Sequence, residues 1–244
     1  MITVLVHGGG ATARFWDRLL PQLDGHALAV DLPGRAGKPA DLGTLTVEDE
    51  VASVVADIDA LPSSEPIILV AHSSGGLVVP GVVAARRERI AHIVLNAASI
   101  PPEGGCGLDC MQPRHREGLE LALEDAKRTG ITLTTQGPPA DPEAFRNTYG
   151  GDPLDDDTLA FVVERVVADT LNHYLQPVHW SQAGDVAVTY VVNERDRPVP
   201  AALQDEMVSR LPQSPTVIRF DTGHIPPVTT PREFAGVVHR AAAS

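Results

Sequence analysis

Ser73 lies in the run Val70-Ala71-His72-Ser73-Ser74-Gly75-Gly76, with small residues two places to either side. An apolar run precedes it and a helical pattern follows it, so the segment reads as a strand turning tightly into a helix. This matches the G-x-S-x-G frame, with alanine in place of the first glycine, in which a strained turn exposes a serine nucleophile. The demand is steric: the turn tolerates only small neighbours, and Ala71 and Gly75 meet it. Ser73 Oγ would then project above a sheet, beside the partial positive charge and free N–H groups of a helix N-terminus. A flexible Ser/Gly loop is the plainer alternative, but the strand before and the helix after argue for the turn. Ser74 is a poorer nucleophile, because His72 would then stand two places before it and crowd the turn.

A second run, Val6-His7-Gly8-Gly9-Gly10, closes the first apolar segment. A tetrahedral oxyanion needs fixed donors, and backbone N–H groups serve well where glycines let the chain come close. The Gly9 and Ser74 amides are the expected oxyanion hole. A phosphate-binding loop is the rival reading, but neither G-x-x-x-x-G-K-[ST] nor G-x-G-x-x-G occurs here. With a serine nucleophile in this frame, a carboxylate and then a histidine should follow in chain order. Asn193-Glu194-Arg195-Asp196-Arg197-Pro198-Val199-Pro200 follows an apolar run and offers Asp196 as the acid, with Glu194 in reserve. Phe220-Asp221-Thr222-Gly223-His224-Ile225-Pro226 ends the last apolar run, and its glycine-flanked His224 is the expected base. The remaining histidines read as packing, capping or surface residues.

These groups must be positioned by regular elements. Apolar runs at Ile2–Val6, His26–Val30, Ile67–Val70, Ile90–Leu95, Val186–Val192 and Thr216–Phe220 read as strands covered on both faces. Helical patterns at Trp16–Leu23, Val47–Leu61, Gly75–Arg87, Ala201–Leu211 and Pro231–Ala242 alternate with them. The expectation is an α/β fold: a doubly wound, mostly parallel sheet of about six strands. Residues 1–99 and 182–244 form its core. Residues 100–181 lack a convincing buried strand and read as a helical cap insertion. Its helical patterns run over His115–Thr129, Pro142–Tyr149 and Asp157–Ala168, with Asp141 capping a helix that starts at Pro142.

Composition excludes several classes. The chain has 43% hydrophobic and 21% charged residues but only 4% aromatics, so the core is built mainly from Val, Leu, Ile and Ala. A formal charge of −13, without a basic patch, argues against nucleic-acid and anionic-membrane partners. No apolar stretch is long enough to span a membrane, and no signal peptide precedes Ile2, so the cytoplasm is the default location. Cys106 and Cys110 cannot form a disulfide framework or a zinc site and read as free thiols. No metal or cofactor is expected; the expected partner is a small-molecule substrate.

Taken together, the His-Gly-Gly turn, the serine elbow, the Arg-Asp-Arg-x-x-Pro loop and the Gly-His turn resemble the α/β-hydrolase superfamily. The early start at the oxyanion strand is similar to its compact branch, which includes plant methylesterases and hydroxynitrile lyases. The resemblance implies a carboxylic ester hydrolase acting through Ser73, His224 and Asp196 and an acyl-enzyme, with lactones and thioesters as further substrates. Two alternatives stand beside it: a lyase on the same triad, and a small-molecule receptor with a vestigial triad. The lyases carry a lysine after the histidine and a threonine after the first-strand histidine. Ile225 and Gly8 occupy those places here and weaken that reading. Gly10, Ile225 and the cap aromatics Phe145, Tyr149, Phe161, Tyr174 and Trp180 are candidate pocket liners. Each aromatic could equally pack the cap onto the sheet.

Overall fold

Six apolar runs become six strands: β1 (Ile2–Val6), β2 (His26–Val30), β3 (Ile67–His72), β4 (Ile90–Asn96), β5 (Ala187–Asn193) and β6 (Thr216–Phe220). The computed structural model describes every residue except 136, 140, 149, 150, 152, 153 and 244. All strands are parallel, in the order β2-β1-β3-β4-β5-β6. Successive side chains alternate between two cores, as the period of a strand requires. Ile67, Leu69 and Ala71 of β3 enter one apolar cluster, whereas Ile68 and Val70 enter the other. Helices α1 (Val47–Asp59) and α2 (Val79–Ala85) cover the first face together with α6 (Ala201–Val208). The second face is covered by α8 (Pro231–Ala242), through Phe234, Val237 and Val238, and by Phe15 and Trp16.

The strand order carries a functional consequence. The chain runs outward from β1 to β2, then crosses back over β1 to reach β3 and continues the other way. Parallel sheets open a crevice at such a reversal, at the carboxyl ends of the strands. Here that crevice lies between β1, which leads into the glycine run, and β3, which leads into Ser73.

Two helical expectations in the core are corrected. The pattern at Trp16–Leu23 resolves into short 3₁₀ turns at Ala13–Trp16 and Leu20–Gln22, because Pro21 has no N–H to continue a helix. The one expected over Gly75–Arg87 begins as a 3₁₀ turn, Ser73–Leu77, and becomes α-helical only at Val79. Pro80 cannot donate to the Gly76 carbonyl, so the first turn winds differently.

Between β4 and β5 lie α3 (Pro113–Thr129), α4 (Pro142–Thr148) and α5 (Asp156–Val163), with no strand of the main sheet among the described residues. Asp141 Oδ1 accepts from Glu143 N at 3.0 Å at the start of α4, the expected cap. Past α5 the helix expected to reach Ala168 stops, because Val167 N turns to donate to Gly10 O at 2.9 Å. No helix among the described residues is long and apolar enough to cross a membrane.

This segment is tied to the sheet by a buried cation. Arg35, in the loop after β2, is 2% exposed; it bonds Asp169 and donates to Glu50 of α1 at 3.3 Å. Burial alone would push the Asp169 carboxyl up, but His173, Arg35 and the Gly10 N–H hold it below the usual carboxylate range. Removing Arg35 would strand two carboxylates without their cation, which costs about 3–5 kcal/mol. We therefore expect Arg35→Met to lower the melting temperature by on the order of 10 °C in a thermal scan. An unchanged melting temperature would show that the segment is held by other contacts.

Candidate active site

The turn after β3 is strained where the sequence demanded it. Ser73 has φ +52°, a left-handed conformation that non-glycine residues rarely adopt. Its neighbours explain how the strain is kept. A Cβ on Gly75 would stand 2.5 Å from His7 O, and one on Gly8 would stand 2.8 Å from Ser73 Cβ. The glycine run and the serine turn are therefore in backbone contact. Ser99 N donates to Ser73 O at 2.9 Å and holds the turn from the other side.

His224 follows β6, and its Nδ1 donates to Asp196 Oδ2 at 2.6 Å. Asp196 is 5% exposed; its Oδ1 accepts from Val199 N at 2.8 Å and its Oδ2 from Gln204 Nε2 at 3.3 Å. Glu194, the reserve acid, faces solvent and pairs with Arg219 at 3.6 Å. The carboxylate that orients the imidazole is thus Asp196. Ser73 and His224 line one cavity of about 290 Å³, together with Gly9, Gly10, Phe15 and Phe145. A second, of about 590 Å³, adjoins it; Ser73, Tyr174 and Pro198 line both.

Around this pair lies a set of residues that hydrophobic patterning missed. The His224 backbone carbonyl accepts from His72 Nε2 at 3.0 Å, Asn193 Nδ2 at 3.3 Å and Asn96 Nδ2 at 3.5 Å. These donors end β3, β5 and β4, and all are essentially buried. They are why the strands run one or two residues beyond their apolar runs. His72 must carry its proton on Nε2 to donate, and burial, then the charge of His224, hold it well below the ordinary histidine range. His72 also stacks on Phe15, with ring centroids 4.8 Å apart. His7 anchors the glycine run in turn: its Nδ1 donates to Gly8 O at 2.8 Å, and its Nε2 accepts from Leu32 N at 3.2 Å. Burial and the nearby Arg35 lower its pKa to about 4.

The expected oxyanion donors, Gly9 and Ser74, lie beside Ser73. Ser74 stands in the first turn of its helix, where an N–H has no carbonyl of its own helix to bond. Gly10 N is committed to Asp169 Oδ2 at 2.8 Å and so stands apart from the expected Gly9 amide. Burial pushes the Tyr174 phenol up to about 12, against the opposing effect of the Ser74 hydroxyl, so it stays protonated.

The pocket liners divide. Gly10, Phe145 and Tyr174 line the cavities beside Ser73. Phe161 instead lies between the guanidinium groups of Arg165 and Arg18, 3.6 and 4.6 Å from its ring centre. Trp180 and Ile225, expected in the pocket, are each 1% exposed and packed in the two apolar cores. Trp180 starts a turn that joins the core on the α2 side, and Ile225 starts the short helix α7 (Pro226–Thr229) below His224. Tyr149 lies outside the described residues. Glu50, Asp169 and His173 bring ligand atoms within 4.8 Å of one another, but Arg35 already supplies the cation between the two carboxylates.

Comparison with known proteins places this geometry in context. Residues 3–237 match the family model described as "Alpha/beta hydrolase family". Methylesterase 7 of Arabidopsis thaliana is 27% identical over 96% of this chain and 94% of its own length. Lipase LipV of Mycobacterium tuberculosis is 26% identical, over 96% and 90%. Among solved structures, an extracellular alpha/beta-hydrolase from a Paenibacillus species superposes with a TM-score of 0.83 at 21% identity, covering 99% of this chain and 98% of that one.

Two of the buried histidines, His7 and His72, set an acid limit on stability. Both have folded pKa values below the ordinary 6.5, so protons bind the unfolded chain more readily. Their contribution is complete above about pH 6.5 and is lost as pH falls, at about 1.4 kcal/mol per unit for each. Unfolding free energy measured from pH 7 down to about 4.5 should decline, and His72→Asn should flatten that slope. An identical slope in the variant would exclude His72 protonation as a cause.

Proposed function

The chain belongs to the alpha/beta hydrolase family, and from that membership we propose that it is a serine hydrolase cleaving small-molecule carboxylic esters through Ser73, His224 and Asp196. The observation that carries this reading is the 2.6 Å bond from His224 to a buried Asp196, with His224 and a strained Ser73 in one cavity. Methylesterase and lipase relatives that match over nearly the full chain support the choice of ester chemistry.

In the proposed mechanism Ser73 Oγ attacks the ester carbonyl while His224 Nε2 takes its proton. Asp196 keeps the Nδ1 proton in place and steadies the imidazolium that forms. The Gly9 and Ser74 amides receive the negative charge on the carbonyl oxygen. His224 then gives its proton to the departing alcohol. A water attacks the acyl-enzyme with His224 as base, and the carboxylic acid leaves. A cyanohydrin-lyase reading would want a cation after His224, where the apolar Ile225 is buried.

Ser73→Ala should lower turnover of 4-nitrophenyl esters by roughly 10⁴- to 10⁶-fold with little loss of thermal stability. Asp196→Asn should be severe, roughly 10⁴-fold, because the imidazole loses its orientation, whereas Glu194→Gln should stay near wild type. A fluorophosphonate probe should label Ser73, read by mass spectrometry of the peptide. Near-normal turnover in Ser73→Ala, or label on Ser74, would remove the proposed nucleophile.

A further inference from the structure

The run after β1 places three glycines in a row, a stretch of backbone with unusual rotational freedom. An oxyanion hole works only when its donors are fixed before the charge forms. This backbone must therefore be held still, and two hydrogen bonds hold it on either side of Gly9. His7 Nδ1 donates to Gly8 O at 2.8 Å, which fixes the peptide plane between Gly8 and Gly9. Gly10 N donates to Asp169 Oδ2 at 2.8 Å, which fixes the plane between Gly9 and Gly10. Peptide planes are rigid, so the Gly9 N–H, opposite the Gly8 carbonyl, keeps little freedom once both are held.

We infer that Asp169 is a positioning residue for ester cleavage: from the segment before β5 it pins the glycine run and so sets the direction of the Gly9 amide. The inference rests on the reading of Ser73 as an esterase nucleophile with that amide in its oxyanion hole. Asp169 is 1% exposed and lines the same cavity as Ser73, Gly9 and His224. Its Oδ2 is turned toward the run, 3.5 Å from where a Cβ on Gly9 would stand. The same segment takes a second hold on Gly10, since Val167 N donates to Gly10 O at 2.9 Å. Gly10 has φ +65°, a left-handed conformation that glycine adopts without strain. Asp169 is itself held by Thr135: Thr135 N donates to Asp169 O at 2.9 Å, and Asp169 N donates to Thr135 Oγ1 at 2.8 Å.

Hydrogen-bond chemistry explains why a carboxylate stands here. Both of its oxygens accept: Oδ1 takes Arg35 and Thr170 N, the latter at 2.7 Å, and Oδ2 takes Gly10 N. An isosteric carboxamide has one acceptor oxygen, so its NH2 group would face either the Gly10 N–H or the Arg35 and Thr170 donors. A bare carboxylate beside Ser73 would also repel the charge that forms on the substrate oxygen. Arg35 offsets that repulsion, because its guanidinium bonds the same carboxylate while donating to Glu50. Pairing with Arg35 alone would need no contact with Gly10. The Oδ2 bond is what joins the buried ion pair to the site.

The test compares 4-nitrophenyl acetate with its thionoester, in which sulfur replaces the carbonyl oxygen. Sulfur is a weak hydrogen-bond acceptor, so the oxo/thiono ratio of kcat/KM reads the grip of the hole, and a partly unfolded sample leaves that ratio unchanged. In Asp169→Asn the cationic Arg35 should keep the one acceptor oxygen and turn the NH2 group toward Gly10 N. Oxo-ester kcat/KM should fall by roughly 10- to 100-fold, less than the roughly 10²- to 10³-fold loss of a whole donor, and the ratio by about tenfold. Asp169→Ala, which removes the acceptor without adding a donor, should act likewise. Glu50→Gln, which touches Arg35 and not the glycine run, should leave the ratio at its wild-type value. An equal loss for both esters in the Asp169 variants would overturn the inference by marking Asp169 as a structural anchor, and so would failure of both to fold. A ratio that fell as far in Glu50→Gln would overturn it too, by tracing the effect to Arg35. No turnover of either ester by the wild-type protein would instead remove the esterase reading.

Discussion

At the carboxyl ends of β1 and β3 two stretches of backbone lie too close for side chains. A methyl on Gly75 would enter contact with the His7 carbonyl at 2.5 Å, and one on Gly8 would meet Ser73 Cβ at 2.8 Å. This contact is what keeps Ser73 in its left-handed conformation, a state that costs on the order of 1–3 kcal/mol and survives only when its surroundings over-determine it. It also sets the glycine amides beside the serine. Ser73 and the glycine run are thus brought together by a single steric constraint at the point where the strand order reverses.

His224 is placed differently, by hydrogen bonds to its backbone. Three strands end in buried polar residues, His72, Asn96 and Asn193, and all three donate to the carbonyl of His224. Asp196 then fixes the ring itself through Nδ1. Buried polar groups are expensive unless bonded, so these residues repay their burial only if His224 stays where it is. Loss of a donor would loosen the hold on His224.

Charge is distributed with the same economy. The cation Arg35 is enclosed between Glu50 and Asp169 and joins the segment after β4 to the core, so the roof over Ser73 is electrostatically anchored.

What the sequence by itself determined was whatever depends on local order. The six apolar runs became the six strands because a two-sided parallel sheet needs continuous aliphatic residues, and that is visible in any window of the chain. Ser73 and the glycine run were legible because tight turns restrict residue type locally, and His224 because it follows the last strand in a glycine-flanked loop. The choice between Asp196 and Glu194 was only inclined by sequence, since both share one loop; the fold decided it by turning Asp196 inward and Glu194 toward Arg219. The donors to the His224 carbonyl, the Arg35 anchor and the core burial of Trp180 and Ile225 were decided by tertiary structure alone. Each depends on partners far apart in sequence, such as His72 and His224, separated by 152 positions. No local pattern encodes such a pairing: a polar residue at a strand end looks the same in sequence whether it meets water or a buried carbonyl, and only the packed chain chooses.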